Sequence, residues 1–291
     1  MSIIVGVHCS DCVIFACSGP APASTPGRAV DGVMPTRLRA VAGQAIVGVS
    51  GPEELDREVT AALERYLAEH GRHRMSAEAH RHEMQTLLGQ PIRLTAEMTR
   101  ALQRFPGTAA TAGEAVAGAV LVALPSKELS SLHLIDAEGS VSQIDRARCF
   151  AAIGSARVAA ESFLVFLQRL LWREEKPNRA AGQLAAYWTA RHITEIEGAS
   201  SRSIRVVRLS SADGGLPDIT WYGDPVIAAL RRAVDSGLDE IRVGLKRRVM
   251  IDFEVPEGEA PSAPGQPPRR RVPEVRVTLR PPQDKDKRLR W

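Results

Sequence analysis

The chain opens on two short apolar runs, Ile3–Val7 and Val13–Cys17, separated by the polar stretch His8-Cys9-Ser10-Asp11-Cys12. Continuous apolar runs bounded by a polar turn predict a hairpin of buried strands. Gly19–Thr36, rich in Gly, Pro, Ala and Ser, reads as a loop. Arg37–Val41 alternates basic and apolar positions, and Ala45–Val49 is a further strand, closing on Gly48-Val49-Ser50-Gly51-Pro52. This is not a GxSxG nucleophile elbow, because the glycine after Ser50 comes one position early. A helix follows, capped by Ser50 or Gly51, with Pro52 in its first turn and Glu53, Glu54 and Asp56 at its positive dipole end. Leu55, Val59, Ala62, Leu63, Tyr66 and Leu67 share one face, and His70-Gly71 ends the helix. A second helical stretch starts near Ser76, breaks around Gly89-Gln90-Pro91 and resumes from Thr95 to Arg104.

A second β block comes next. Ala119–Leu124 is a continuous apolar strand; Ser131–Asp136 alternates, Ala137-Glu138-Gly139 turns and Ser140–Asp145 returns. Cys149–Ile153 is a short strand ending in Gly154-Ser155. The stretches Ala156–Trp172 and Asn178–Ile193 read as helices, Ser203–Leu209 as a strand and Ala212-Asp213-Gly214-Gly215 as a turn. Strand hairpins, two helices, strand hairpins and two helices predict an α+β fold with two sheets sandwiched between helix layers. Beyond this, Asp224–Asp235 reads as a short helix and Glu240–Val255 as a strand pair or long strand. Pro256–Pro268 reads as a flexible linker, Val275–Leu279 as one more strand and Asp284–Trp291 as a charged end.

Composition changes this picture little. With 291 residues, 44% of them hydrophobic, the chain can bury a proper core. The net charge is +4, and Pro256–Trp291, with nine basic and five acidic residues, carries all of that excess. A neutral body with a basic tail is no argument for a nucleic-acid-binding fold, and nucleic acid is not an expected partner. The Arg269-Arg270-Arg271 run is read as a solvated tail, with binding to nucleic acid or an acidic partner as the alternative. There is no bilayer-length apolar run and no basic leader with a small-residue cleavage site, so the expected protein is soluble, cytoplasmic and free of membrane contacts. Three of the four cysteines, Cys9, Cys12 and Cys17, crowd into the first strands, unlike a secreted disulfide scaffold. Cys9 and Cys12 form a lone CxxC. A zinc site needs about four ligands, so these cysteines are read as flanking a turn, and neither metal nor cofactor is expected. His70, His73, His80 and His82 lack the spacing of a helical chelate and are read as solvated polar positions.

The candidate chemistry sits at the start. Removal of Met1, favoured by a small second residue, would leave Ser2 carrying both a hydroxyl nucleophile and a free α-amine. The amine's reference pKa of roughly 7.7–8.0 leaves it partly unprotonated near neutrality, able to act as the base for its own hydroxyl.

Ser2-Ile3-Ile4-Val5-Gly6-Val7, the hairpin into Val13-Ile14-Phe15-Ala16, and the strand Ala45–Gly51 leading into a helix resemble proteasome β-type N-terminal nucleophile hydrolases. So do Leu134-Ile135-Asp136-Ala137-Glu138-Gly139-Ser140-Val141 and Ala151-Ala152-Ile153-Gly154-Ser155 opening a helix. The resemblance extends over roughly Ser2–Leu209 and includes HslV-type and minor bacterial homologues (Anbu and BPH types). It implies a four-layer αββα sandwich over 1–210; beyond it, 211–255 is read as a helix and strand extension and 256–291 as a flexible Pro/Arg-rich tail. It also implies a homo-oligomeric ring, a peptide or unfolded-protein substrate and, more weakly, an ATPase unfoldase partner. Ser2 falls where the family has its threonine nucleophile and Gly51 where a backbone N–H forms the oxyanion hole. Arg37 replaces the family's lysine, Ser155 matches a supporting serine and Glu197 lies about where a second aspartate is expected. Ser18 departs from the pattern, standing in place of the aspartate that pairs with the lysine. An arginine keeps the positive charge but cannot shuttle a proton. Three readings stay open: an active N-terminal serine peptidase, an inactive shell or assembly subunit of the same fold, and an amidohydrolase of small amides.

Overall fold

The first strand, β1 (Ile3–His8), is buried along its whole length, and the rest of the first sheet is built around it. In the computed structural model the described residues are 3–19, 37–70, 75–103, 118–127, 129–145, 147–172, 175–198, 203–211, 217–252 and 276–279. After β1 they form β2 (Cys12–Gly19), β3 (Arg37–Val41), β4 (Ala45–Ser50), α1 (Glu53–His70), α2 (Ala77–Gln103), β5 (Ala119–Ser126), β6 (Leu129–Ile135) and β7 (Val141–Ile144). Then follow β8 (Phe150–Gly154), α3 (Arg157–Leu171), α4 (Arg179–Ile196), β9 (Ser203–Ser211), β10 (Pro217–Trp221), α5 (Asp224–Arg248), β11 (Val249–Asp252) and β12 (Arg276–Leu279). The chain divides into two units, Met1–Arg231 and Arg232–Trp291. No helix among the described residues is long and apolar enough to cross a membrane.

The first unit is α+β, with two antiparallel five-stranded sheets ordered β10-β9-β2-β1-β8 and β3-β4-β5-β6-β7. Ile4, Val13, Phe15 and Cys17 of the first sheet meet Leu121, Ala123, Leu132 and Leu134 of the second in one buried cluster. On the other face of the second sheet, Val47, Val49, Val120 and Val122 pack with Leu55, Val59 and Leu63 of α1 and Met84, Leu88 and Ile92 of α2. Burying each such side chain contributes about 1.5–3 kcal/mol. The first sheet is backed by α3 along β8 and by α4 along β1 and β2. Asn178 caps α4, its side chain accepting from the Ala181 N–H at 2.9 Å.

Three expectations need correction. Instead of breaking at Gly89-Gln90-Pro91, α2 runs unbroken from Ala77 to Gln103. Pro91 has no N–H to give to the preceding turn, but Met84, Leu88, Ile92 and Ala96 are all fully buried on one face, and that packing outweighs the lost bond. Gly89 serves as a contact point: a Cβ at Gly139 (φ +76°) would overlap the Gly89 carbonyl. Gln85 fastens the same turn, donating to Gly139 O at 2.7 Å and accepting from Val141 N–H at 2.9 Å.

The second correction concerns Glu240–Val255. The helix α5 continues to Arg248, and only Val249–Asp252 is strand, paired antiparallel with β12 in the second unit. Ile227, Leu230, Val234, Leu238 and Ile241 keep a helical stripe, and all are buried or half-buried, so the 3.6-residue period overrides the local alternation. The strand β10, pairing with β9, was not anticipated; the expected turn at 212–215, the linker and the arginine run lie outside the described residues.

The third correction concerns histidine. His82 is exposed and His73 lies outside the described residues, but His80 is buried. Its Nε2–H donates to Pro125 O at 2.9 Å, so Nδ1 accepts from the Tyr66 hydroxyl at 2.7 Å. Behind it, His133 is fully buried and donates from Nε2 to Ser131 Oγ at 2.9 Å. Burial, reinforced by the charges of His80 and His8, pushes the His133 pKa down to about 3. Burial also lowers His80 and His8.

Two predictions follow from this packing. Gly139→Ala, which adds backbone overlap to an unfavourable φ, should destabilise the protein by about 2–4 kcal/mol in urea unfolding. The second is a pH dependence. Three imidazoles with depressed folded pKa values bind protons in the unfolded state first, so stability is full above about pH 6.5 and falls as the pH drops below it. The groups facing His133 are His80, His8, Arg81 and Glu78. His133→Leu should reduce the slope of the urea midpoint between pH 7 and 5 by up to about one proton's worth, 1.4 kcal/mol per pH unit.

Candidate active site

The ends of several strands converge where β1 begins. Ile3 pairs with Ser18 on one side and Gly154 on the other. Paired strands lie about 4.8 Å apart, so Ser18 and the Gly154-Ser155 turn flank the first described residue. Ser18 is buried, and Ser155 is exposed in the turn that opens α3. Gly51 reaches the same end from the second sheet. At Gly48, a Cβ would lie 3.0 Å from Ile4 Cγ2, so the two sheets meet backbone to side chain there. Two residues later β4 ends at Ser50, and Gly51 follows.

Gly51 has φ +154°, and a Cβ there would meet Leu55 Cδ2 at 3.0 Å and the Gly118 Cα at 3.3 Å. Both backbone and space therefore require glycine. Two residues on, α1 begins with Glu53, Glu54 and Asp56 in its first turn, and the N–H groups of a helix start need acceptors from outside the helix. Asp56, only 2% exposed, is held by Arg39 of β3 at 2.6 Å.

Arg37 begins β3 opposite Val49, two residues before Gly51, so its backbone lies at this end of the second sheet. Val49 packs in the core beneath α1 and α2; the next pair in the ladder, Leu38 and Gly48, is the one that faces the first sheet. Glu197 caps the C-terminus of α4 and is half-buried. The start of α4 is pinned beside the β1–β2 turn, where Ser10 N–H donates to Pro177 O at 2.9 Å and Arg179 meets Asp11. With 18 residues the helix is about 27 Å long. The 6-residue β1 spans about 20 Å. Running along β1 and β2, α4 therefore carries Glu197 to the end where β1 begins. Ser2 itself lies outside the described residues. Among those described, no group of three or more His, Cys, Asp or Glu side chains is arranged to hold a metal ion.

Sequence reasoning missed Arg205. In the first sheet it lies opposite Cys17, which lies opposite Ile4, with Val207 and Leu209 of the same strand turned into the core between the sheets. Arg205 is exposed, and its guanidinium carbon sits 5.7 Å from the ring centre of Trp221, a cation–π contact. Burial raises the Cys17 thiol pKa, and Arg205, hydrogen-bonded to it, acts in the opposite direction. The available signal was an arginine two and four residues before Val207 and Leu209, on the face of the strand that these turn into the core.

No family model matches the chain, and no curated protein matches it in sequence. Among solved structures it is similar to Anbu, the ancestral beta-subunit, from Yersinia bercovieri, with a TM-score of 0.53 and 16% sequence identity. The match covers 89% of this chain and 100% of that one. At this identity the likeness speaks to the fold alone, which is proteasome-like.

The Gly51 geometry yields a direct test. Gly51→Ala should cost about 1–3 kcal/mol through the φ penalty and the displacement of Leu55, read as a lower thermal midpoint. A variant as stable as the parent would show that this turn is not held as described.

Proposed function

We propose that the first unit is a four-layer αββα sandwich of the N-terminal nucleophile type, and that the protein is a peptidase working from the end where β1 begins. The observation that carries the reading is the convergence of Ser18, Gly154-Ser155 and Gly51 on Ile3, the residue that follows Ser2. In this mechanism Met1 is removed and Ser2 becomes the N-terminus. Its α-amine accepts the hydroxyl proton while Oγ attacks the peptide carbonyl. The Gly51 N–H holds the developing oxyanion, and water hydrolyses the acyl-enzyme. Ser155 positions the amine, Arg37 contributes positive charge, and Ser18 and Glu197 complete the surroundings. A homo-oligomeric ring, an unfolded-protein substrate, an ATPase unfoldase and a cytoplasmic setting accompany this reading, and 256–291 is its flexible tail.

One observation favours a second reading, an inactive shell subunit. The described cation of β3 with a carboxylate partner is Arg39, engaged by Asp56 of α1, and position 18 carries a serine. A site without a lysine–aspartate pair has no obvious means of keeping its amine and hydroxyl poised.

Intact mass measured with and without a peptide epoxyketone separates the two, since that reagent needs a hydroxyl and a free amine on one residue. The peptidase reading expects loss of Met1, a stoichiometric adduct and peptide turnover that Ser2→Ala lowers by at least about a thousandfold. Retained Met1 with no adduct would leave the shell reading in its place. Turnover of small amides but not peptides would point to an amidohydrolase.

A further inference from the structure

At the opposite end of β1 from the candidate active site, the turn into β2 carries two thiols that the proposed reaction does not use. His8 pairs with Val13, so Cys9 and Cys12 are the next positions facing each other across the hairpin, and Cys9 N–H donates to Cys12 O at 2.8 Å. Directly opposed residues of such a pair have Cα atoms about 5.5 Å apart, within the range a disulfide bridges. Both thiols are free and buried, and they lie within hydrogen-bonding reach of each other. They sit beneath α4 at Gly182, where a Cβ would overlap the Cys9 sulfur, so the pair is confined from above. At the tip lies an exposed ion pair, Arg179 with Asp11, whose side chains are 47% and 40% exposed. The Arg179 guanidinium also reaches the Cys12 thiol.

We propose that Cys9 and Cys12 form a reversible disulfide, made and broken by exchange with small disulfides and thiols of the glutathione class. Cys12 is the attacking group. The Arg179 guanidinium reaches it, whereas Cys9 lies against α4 at Gly182, and burial and the contact with Cys12 both raise the Cys9 thiol. The Cys12 thiolate displaces one glutathione thiolate from oxidised glutathione, forming a mixed disulfide. Cys9 then gives up its proton and attacks the Cys12 sulfur, releasing the second glutathione. Two electrons and two protons pass from the cysteine pair to one oxidised glutathione, giving two reduced molecules. The other cysteines are less well placed: Cys17 lies in the core between the sheets, and Cys149 precedes β8, outside the hairpin pairing.

The test uses the full-length protein under native conditions, incubated with oxidised glutathione, alkylated and mapped by mass spectrometry. The expected product is a Cys9–Cys12 bridge, lighter by about 2 Da and reversed by reduced glutathione. Cys12→Ser should abolish it. Cys9→Ser should instead trap glutathione on Cys12, a gain of about 305 Da. Circular dichroism establishes that each variant is folded; if one is not, the map of the parent protein still decides. Failure of the native pair to react faster than Cys17 would overturn the proposal. So would a Cys9–Cys149 bridge, or only intermolecular products.

Discussion

The structure depends on burying β1 on every side. Its edges are hydrogen-bonded to β2 and β8, one face meets the second sheet and the other lies under α4. A strand closed in this way cannot slip by one residue, because both faces would have to exchange partners at once. The position of its first residue is therefore set from within the core, not by the loop that precedes it. That is the condition a terminal nucleophile needs, since catalysis of this kind tolerates little misplacement of the attacking atom.

Most of the architecture was legible in the sequence because burial writes itself into composition. The runs at Ile3–Val7, Val13–Cys17 and Ala119–Leu124 are apolar on both faces, and each lies in a layer covered on both sides. What the local reading mishandled was competition between local and tertiary terms. Pro91 is a helix breaker only if nothing holds the two halves, and four fully buried residues hold them. Glu240–Val255 resembles a strand when read alone, but as a continuation of Ile227, Leu230 and Val234 it is a helix as far as Arg248. His80 looked solvated because its partners, the Tyr66 hydroxyl and the Pro125 carbonyl, are 14 and 45 residues away.

The candidate site was legible to a different degree. Gly51, Ser18 and Ser155 were recognised from resemblance; Ser18 and Gly154 flank Ile3 by strand pairing, and Gly51 lies three residues beyond Gly48, which packs on Ile4. Arg205 was invisible because its relevance depends on β9 crossing to lie beside β2, a pairing between residues nearly two hundred positions apart.

The two sheets differ in how their strands are drawn from the chain. The second is assembled from one contiguous stretch, Arg37 to Ile144, whereas the first joins residues 3–19 to residues 150–221. During synthesis the second sheet and its helices can close while the rest is still being made. The β1–β2 hairpin must wait until β8, α4 and β9 leave the ribosome before its edges are paired and its outer face is covered. Such non-local pairing is slow and leaves the waiting surface prone to association. The segment that positions the candidate nucleophile is thus made before, and sheltered only after, the elements that cover it, so its placement is tied to completion of nearly the whole first unit.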